Sequence, residues 1–485
     1  MIPTARRRGR LGRDFWWYFG GQLTSQVGSS FTLFALPLLV FRLTHSATNL
    51  ALTTAANFVP YLLFGLVLGA LADRVNRKRM MLLTDVGRAA VIVVLPLLAL
   101  SGTLRVADIY AVAFVQSTLG ILFSCGEFAA IPSLVGRDDL VAANGRIMAT
   151  NSAGQILGPI LAGVLVTLMS PADLLFFDAA SFFLSAGSLS AIRRSFNAAG
   201  QAGPAGARVT GLLRDVQAGL RYVWSNPVLR SISLMMALIN FVASTENSQL
   251  VLFAKRVLGA SDSEVALLFA AGAAGVVIVS IAAAAIRRRL SFAVTALGAL
   301  VIAGLTVTAM ALIGSYPAAL VLWAASSGFG LLLNINTAAL RQAIVPDEMY
   351  GRVVSISQVL AWSAIPLGAL AGAAAIQLSG SVAGVYAVAG ALTALIALSF
   401  AFSPVAHGDQ YLTAATGTLP AGRPARVSGR WLTGARGVLR RPRAPVPGGQ
   451  AGGPAPWPRQ RPRAGAAAPR RNSVRPGRSR FWSRR

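Results

Sequence analysis

The chain has 485 residues, of which 55% are hydrophobic and 12% charged, a composition that excludes an ordinary soluble domain and points to a polytopic membrane protein. A net charge of +28 would suggest nucleic acid in a soluble chain, but 17 arginines lie beyond Phe402 against the single acid Asp409, and most of the others fall between apolar stretches. Nucleic acid is therefore not an expected partner. The only cysteine is Cys125 and the only histidines are His45 and His407. That leaves no disulfide within the chain, no metal cluster and no nucleophile paired with a base, so neither an enzyme nor a cofactor is expected.

Twelve apolar stretches follow one another at roughly 15–41, 49–72, 79–101, 106–130, 144–169, 173–193, 228–254, 263–286, 291–313, 318–341, 352–378 and 382–402. Each is close to the ~20 residues that a helix needs to cross a bilayer. The first, behind Arg6 to Arg13, is too long for a cleavable signal and lacks a small-residue cleavage site. Placing the amino terminus inside leaves only Arg42, Arg105, Lys255 and Arg256 on the outer side, with Arg88 within a span. The positive-inside rule therefore puts both termini in the cytoplasm.

The longest internal break divides the chain into residues 1–194, a cytoplasmic linker at 195–227, and 228–402. After a Gly/Ala-rich start, the linker sets Leu213, Val216, Leu220 and Val223 at helical spacing, which predicts a short helix on the inner membrane surface. The halves echo each other: Gly145-Arg146 is followed by Pro159, and Gly351-Arg352 by Pro366, each proline trailed by small residues. Such duplication is the mark of a transporter built from two related bundles. Residues 403–485, rich in Arg, Pro, Gly and Ala, have too few apolar side chains to form a core and are expected to be disordered. Attraction to anionic lipid, nucleic-acid binding and the absence of any specific role remain open for that tail.

Between the second and third spans the sequence reads Gly69-Ala70-Leu71-Ala72-Asp73-Arg74-Val75-Asn76-Arg77-Lys78-Arg79. This resembles the signature loop of the major facilitator superfamily of secondary transporters, with Asn76 where the family usually has Gly. Asn tolerates left-handed backbone, so the turn is expected to survive. The resemblance implies an all-α fold of two six-helix bundles, and a cytoplasmic gate made by Gly69, Asp73, Arg74 and Arg77 with Glu127 nearby. The fifth span carries Gly145, Gly154, Gly158-Pro159, Ala162 and Gly163. It resembles the antiporter motif of drug exporters in that superfamily, with Ala162 in place of a glycine. Its glycines clear a face for close helix packing, and Pro159 is expected to bend the helix.

Other segments resemble the branch that contains enterobactin exporters and macrolide efflux pumps: Ile131-Pro132-Ser133-Leu134-Val135, Ala143 to Arg146, Gly219 to Trp224, and Val345-Pro346 through Val353. The resemblance runs from Phe15 to Phe402 and implies export driven by proton entry. A siderophore or an antibiotic-like metabolite is the expected cargo. The alternatives are an importer of the same fold and a membrane sensor or scaffold acting through its basic tail. The expected partners are the small-molecule cargo, protons and the lipid bilayer, and the expected state is a monomer.

Acids within spans are costly and by default functional. Asp85 and Arg88, three apart on one helix, are expected to pair. Glu127 is expected to reach Arg74 or Arg77. Asp178, near the outer end of its span, is expected to cap the helix or meet water, and is the second proton-coupling candidate. The first is Glu246, among Asn240, Asn247 and Gln249 in the seventh span. The other cavity candidates are Gln22, Gln26, Gln116, Asn334, Asn336, Gln358 and Trp362, polar amides and an aromatic ring suited to a bulky, mostly apolar ligand.

Overall fold

In lipid a backbone group can find its hydrogen bond only within the chain, and this apolar sequence answers with helices. The computed structural model describes residues 12–72, 75–135, 139–194, 196 and 209–411, and no strand occurs among them. The helices are α1 (Arg13–Thr44), α2 (Ala47–Ala72), α3 (Arg77–Ile92), α4 (Val94–Leu100), α5 (Val106–Leu134), α6 (Leu140–Leu165), α7 (Leu174–Ala191) and α8 (Val209–Ser225). They continue as α9 (Pro227–Ser248), α10 (Leu250–Arg256), α11 (Asp262–Arg289), α12 (Ala299–Ile313), α13 (Tyr316–Ile344), α14 (Asp347–Trp362), α15 (Ala364–Ser379) and α16 (Val382–Phe400).

Among the described residues, 10 helical stretches are long and apolar enough to cross a membrane. α2 and α6, of 26 residues each, are ~39 Å long at ~1.5 Å per residue. The protein is thus an all-α, multi-pass membrane protein. The third and eleventh apolar stretches are each two helices, α3 with α4 and α14 with α15, divided at Val93 and Ser363. Each break falls three residues before a proline, Pro96 or Pro366, whose nitrogen has no hydrogen to give the carbonyl four residues back. α6 instead runs unbroken through Pro159.

Local chemistry sets the ends. Asn76 is not left-handed: at φ −67° it caps α3, its side chain accepting from Arg79 N at 3.0 Å. Its short amide suits it to this role, which Gly cannot fill with a side chain. Asn226 caps α9 in the same way, accepting from Val228 N and Leu229 N ahead of Pro227. Ser261 and Glu264 form a reciprocal capping box on α11.

The packing of the first seven helices recurs in the last eight. α1 lies against α6 and α7, α2 against α5, and α3 against α5 and α7; correspondingly α9 lies against α15 and α16, α11 against α13, and α12 against α13 and α16. The most extensive contacts between the sets are crossed, α6 on α11 and α2 on α15. The predicted linker helix exists as α8, packed on α14 and α9 with Val223 fully buried; the side chains of Leu213 and Val216 lie outside the described residues.

The buried side chains distinguish the two ends of the bundle. At the end where α1 finishes, one apolar core draws on both sets of helices, including Phe34 and Leu38 of α1, Leu50 of α2, Phe253 of α10, Val265 of α11 and Tyr386 of α16. At the other end, where the arginines and lysines concentrate, the cores are separate. Phe15, Tyr18, Met81, Leu134 and Leu189 form one. Val228, Phe292, Leu340 and Phe400 belong to another.

The expectation of disorder from residue 403 needs correction at its start. Residues 403–411 are folded: Val405 is fully buried, and Asp409 takes a 2.7 Å bond from Arg287 and a 2.8 Å bond from Phe292 N. The only acid in the tail sequence is what fastens its beginning. Residues 412–485 lie outside the described residues.

Candidate transport cavity

Between the two sets of helices lies a cavity of about 670 Å³, within the range of a site for a drug-sized molecule. α1 contributes Gln26, Ser29, Ser30 and Leu33, and α6 contributes Pro159. α9 contributes Met236, Asn240, Glu246 and Asn247, α11 contributes Phe269 and Gly272, and α13 contributes Trp323, Ser326, Ser327 and Asn334. The wall is apolar and aromatic with a few amides and hydroxyls. Glu246 is the one charged residue lining it among the described residues.

Glu246 is 6% exposed, and its Oε1 has no hydrogen-bond partner. Beside it the Tyr386 hydroxyl donates to the Glu246 backbone carbonyl, and the Tyr386 ring stacks on Phe253 at 4.4 Å. The carboxylate thus stands at the junction of the cavity and the shared apolar core, with no cation beside it among the described residues.

Of the amides expected to line the cavity, Gln26, Asn240, Asn247 and Asn334 do so. The others lie elsewhere. Gln22 donates to Ser185 Oγ at 3.5 Å, between α1 and α7. Asn336 is buried and returns its amide to Leu332 O at 2.7 Å. Gln116 on α5 is half-buried with an unpartnered Oε1, and Gln358 is exposed. Trp362 meets Tyr61 of α2 edge-on at 5.0 Å, bridging the two helix sets outside the cavity wall.

The remaining buried acids gather within the first helix set. Asp178 is no cap: it is 1% exposed and accepts from Thr32 of α1 and from Ser181 Oγ at 3.3 Å. Its position in the second turn of α7 aims it at α1. Nor do Asp85 and Arg88 form an ion pair. The Arg88 guanidinium lies over the Phe182 ring of α7 at 4.0 Å, a cation–π contact that draws it away from its helix neighbour. Glu127 accepts a hydrogen bond from Tyr18 Oη of α1. Of the gate loop, Asp73 and Arg74 lie outside the described residues, as does the environment of Gly69; Arg77 opens α3.

The fifth-span glycines mark where α6 is pressed against its neighbours. A Cβ on Gly154 would meet Gln26 Cγ at 2.6 Å, one on Gly158 would meet Ser30 Cβ at 2.1 Å, and one on Gly163 would meet Ala266 Cβ at 2.8 Å. Gly145 faces open space. Ser30 Oγ sits across the same contact, at 2.9 Å from Gly154 O. The second half repeats the arrangement, with Gly368 and Gly372 of α15 against Phe241 and Thr245 of α9.

A latch closes the end carrying the shared core. Asp262 at the start of α11 pairs with Arg42 at the end of α1 and with Lys255 of α10. Arg256 donates to His45 O at 2.6 Å, Gln249 to Ala47 O at 2.9 Å, and Gln377 to Thr48 Oγ1 at 2.7 Å. The sequence signal for it was weak but present: three of the four basic residues assigned to the outer side are Arg42, Lys255 and Arg256.

A helical membrane bundle whose two sets of helices repeat one packing plan about a shared cavity is the build of a major facilitator transporter. The chain belongs to the transmembrane secretion effector family, whose sequence profile it matches over residues 13–420, and it is a transporter, not an enzyme. It is 28% identical over 357 residues to the multidrug efflux pump Tap of Mycolicibacterium fortuitum, covering 71% of this chain and 85% of that one. It is 26% identical over 233 residues to macrolide efflux protein A of Streptococcus pyogenes, covering 47% and 55%. In structure it resembles the nucleoside transporter NupG, with a TM-score of 0.66 at 11% identity over 80% of this chain and 99% of that one. A bacterial homologue of the human lysosomal transporter Spinster, in an inward-facing and unoccupied conformation, gives a TM-score of 0.59 at 15% identity over 83% and 96%.

Proposed function

We propose that the protein is a proton-coupled exporter of amphipathic small molecules, siderophores or antibiotic-like metabolites, working by alternating access. It has twelve spans in two six-helix bundles, with both termini and the 195–227 linker in the cytoplasm. The observation that carries this reading is Glu246, a buried carboxylate on the cavity wall with no counter-charge among the described residues. An ion held in an apolar wall needs a partner or a proton. A group that takes a proton from one side and yields it to the other links ion entry to cargo exit. Gln26, Asn240, Asn247 and Asn334 hydrogen-bond the cargo, and Trp323 and Phe269 take its apolar body. The names of the efflux-pump relatives support export, and the antiporter-like glycines of α6 support exchange.

The latch at Arg42, Lys255 and Asp262 lies on the outer side in this orientation, so the conformation described is closed to the outside. In the opposite conformation the loop of Asp73, Arg74 and Arg77, with Glu127, holds the cytoplasmic end shut. Efflux of a dye or labelled antibiotic from cells tests the reading, with an uncoupler applied to the parent protein and Glu246→Gln run alongside. Uncoupler and substitution should each stop pumping, while binding to the purified variant persists. Efflux that ignores the uncoupler would refute proton coupling; efflux that needs the proton gradient but survives Glu246→Gln would refute the role of Glu246 alone.

A further inference from the structure

A second pocket, of about 500 Å³, lies away from the transport cavity, where α3 begins and α7 ends. Four cationic side chains line it, Lys78, Arg79, Arg193 and Arg194, together with Leu82 and Leu83, and no acid lines it among the described residues. Lys78 is fixed in place by the end of α7, its Nζ donating to Ser190 O at 3.1 Å and to Ile192 O. Arg194 donates to Leu134 O at 3.2 Å and reaches Asp14 only at 3.9 Å. Arg79 and Arg193 make no ion pair among the described residues. Four positive charges held around one pocket, with Asp14 the one carboxylate paired to any of them among the described residues, call for an anion.

What the anion is attached to follows from the surface below the pocket. Arg79, Leu83 and Val86 lie on one face of α3, and Leu83 and Val86 are exposed. On α7, antiparallel to α3 and packed against it, Phe183 is exposed seven residues before the pocket residue Ser190. Both helices therefore carry a bare apolar strip that starts at the basic pocket and runs toward the membrane centre. Arg79 is in the first turn of α3, and Arg193 is two residues past α7, which is the level of the headgroups. A free phosphate would use only the pocket; a phospholipid uses pocket and strip together.

We propose that this pocket binds the phosphate headgroup of an anionic phospholipid, whose acyl chains lie along the exposed faces of α3 and α7. The lipid joins Asn76 and the start of α3 to the end of α7.

The test is native mass spectrometry of the full-length protein in dodecyl maltoside, titrated separately with cardiolipin, phosphatidylglycerol, phosphatidylcholine and inorganic phosphate. Anionic lipids should bind at least about tenfold more tightly than phosphatidylcholine. Each basic side chain near a headgroup contributes about a fivefold preference. The double variant Arg79→Gln/Arg193→Gln should therefore lose about 25-fold in anionic-lipid affinity with phosphatidylcholine binding unchanged, whereas Arg79→Lys/Arg193→Lys and the distant Arg288→Gln/Arg289→Gln should bind as the parent does. Equal binding of phosphatidylcholine by the parent overturns the proposal even if the glutamine variant fails to fold. So does undiminished cardiolipin binding in a folded glutamine variant, and so does inorganic phosphate that binds as tightly as the lipids.

Discussion

Replacing Gly158 with alanine adds one methyl group at the tightest contact between α1 and α6. The new Cβ would stand 2.1 Å from Ser30 Cβ and 2.8 Å from Ser30 Oγ, whereas carbon atoms in contact sit at ~3.5–4.0 Å. Ser30 Cβ is tied to the α1 backbone and cannot swing aside, so the helices must part by about 1.4 Å to reach ~3.5 Å. Overpacking of this kind costs about 1–3 kcal/mol. Parting the helices also lengthens the 2.9 Å contact between Ser30 Oγ and Gly154 O, and a hydrogen bond of this type contributes about 0.5–1.5 kcal/mol. Alanine returns ~1 kcal/mol as the better helix former, leaving a net loss of about 0.5–3.5 kcal/mol from these terms. Gly145 belongs to the same motif, but a Cβ there meets nothing within 4 Å, so Gly145→Ala should be neutral or stabilising by up to ~1 kcal/mol. Thermal unfolding of purified variants in one detergent gives the comparison, and adding Ser30→Gly, which removes the opposing Cβ, should make the double variant less unstable than the sum of the two single losses. Equal destabilisation by the two alanine substitutions, or strictly additive losses in Gly158→Ala/Ser30→Gly, would show that the motif acts by something other than close packing.

In the second half, Gly368→Ala should be more damaging than Gly158→Ala, because its Cβ would lie 1.8 Å from the Phe241 backbone oxygen, which no side-chain adjustment can move. Comparing the yields of monodisperse protein checks this, and a normal yield with a normal melting temperature would contradict it. At the latch, Arg42 is 46% exposed, so its pair with Asp262 contributes only about 0.2–1 kcal/mol. Arg42→Ala should raise outside labelling of a cysteine at Ser29, with Cys125 replaced, by up to roughly fivefold, and high salt should shrink the difference. Labelling unchanged at low salt would remove the latch from the mechanism.

The all-α, multi-pass character of the chain was legible because lipid leaves it few choices: long apolar runs must be helices, and prolines can mark their interruptions. Which face of each helix points inward was less legible. A span between lipid and protein is apolar on both sides, so the pattern that orients a helix in a soluble core is largely erased. Hence Gln26, Asn240 and Asn334 reach the cavity, while Gln22, Asn336 and Gln358 on the same or neighbouring helices turn elsewhere. The spacing of Asp85 and Arg88 suggested a pair because spacing reports only contacts along one helix; the Phe182 ring that holds Arg88 comes from another. α6 runs unbroken through Pro159, and the residue's identity alone did not distinguish it from Pro96 and Pro366.

The shared core at the latch end makes closure there a matter of dry contact more than of charge. Opening it would wet residues such as Phe31, Phe34 and Leu38, all now 6% exposed or less, and apolar surface passing into water raises the heat capacity. The free-energy cost of opening this seal is therefore a curved function of temperature. The seal loosens on cooling as the force that closes it weakens, so on the proposed alternating-access mechanism temperature joins cargo and protons in setting the fraction of molecules open at the latch end.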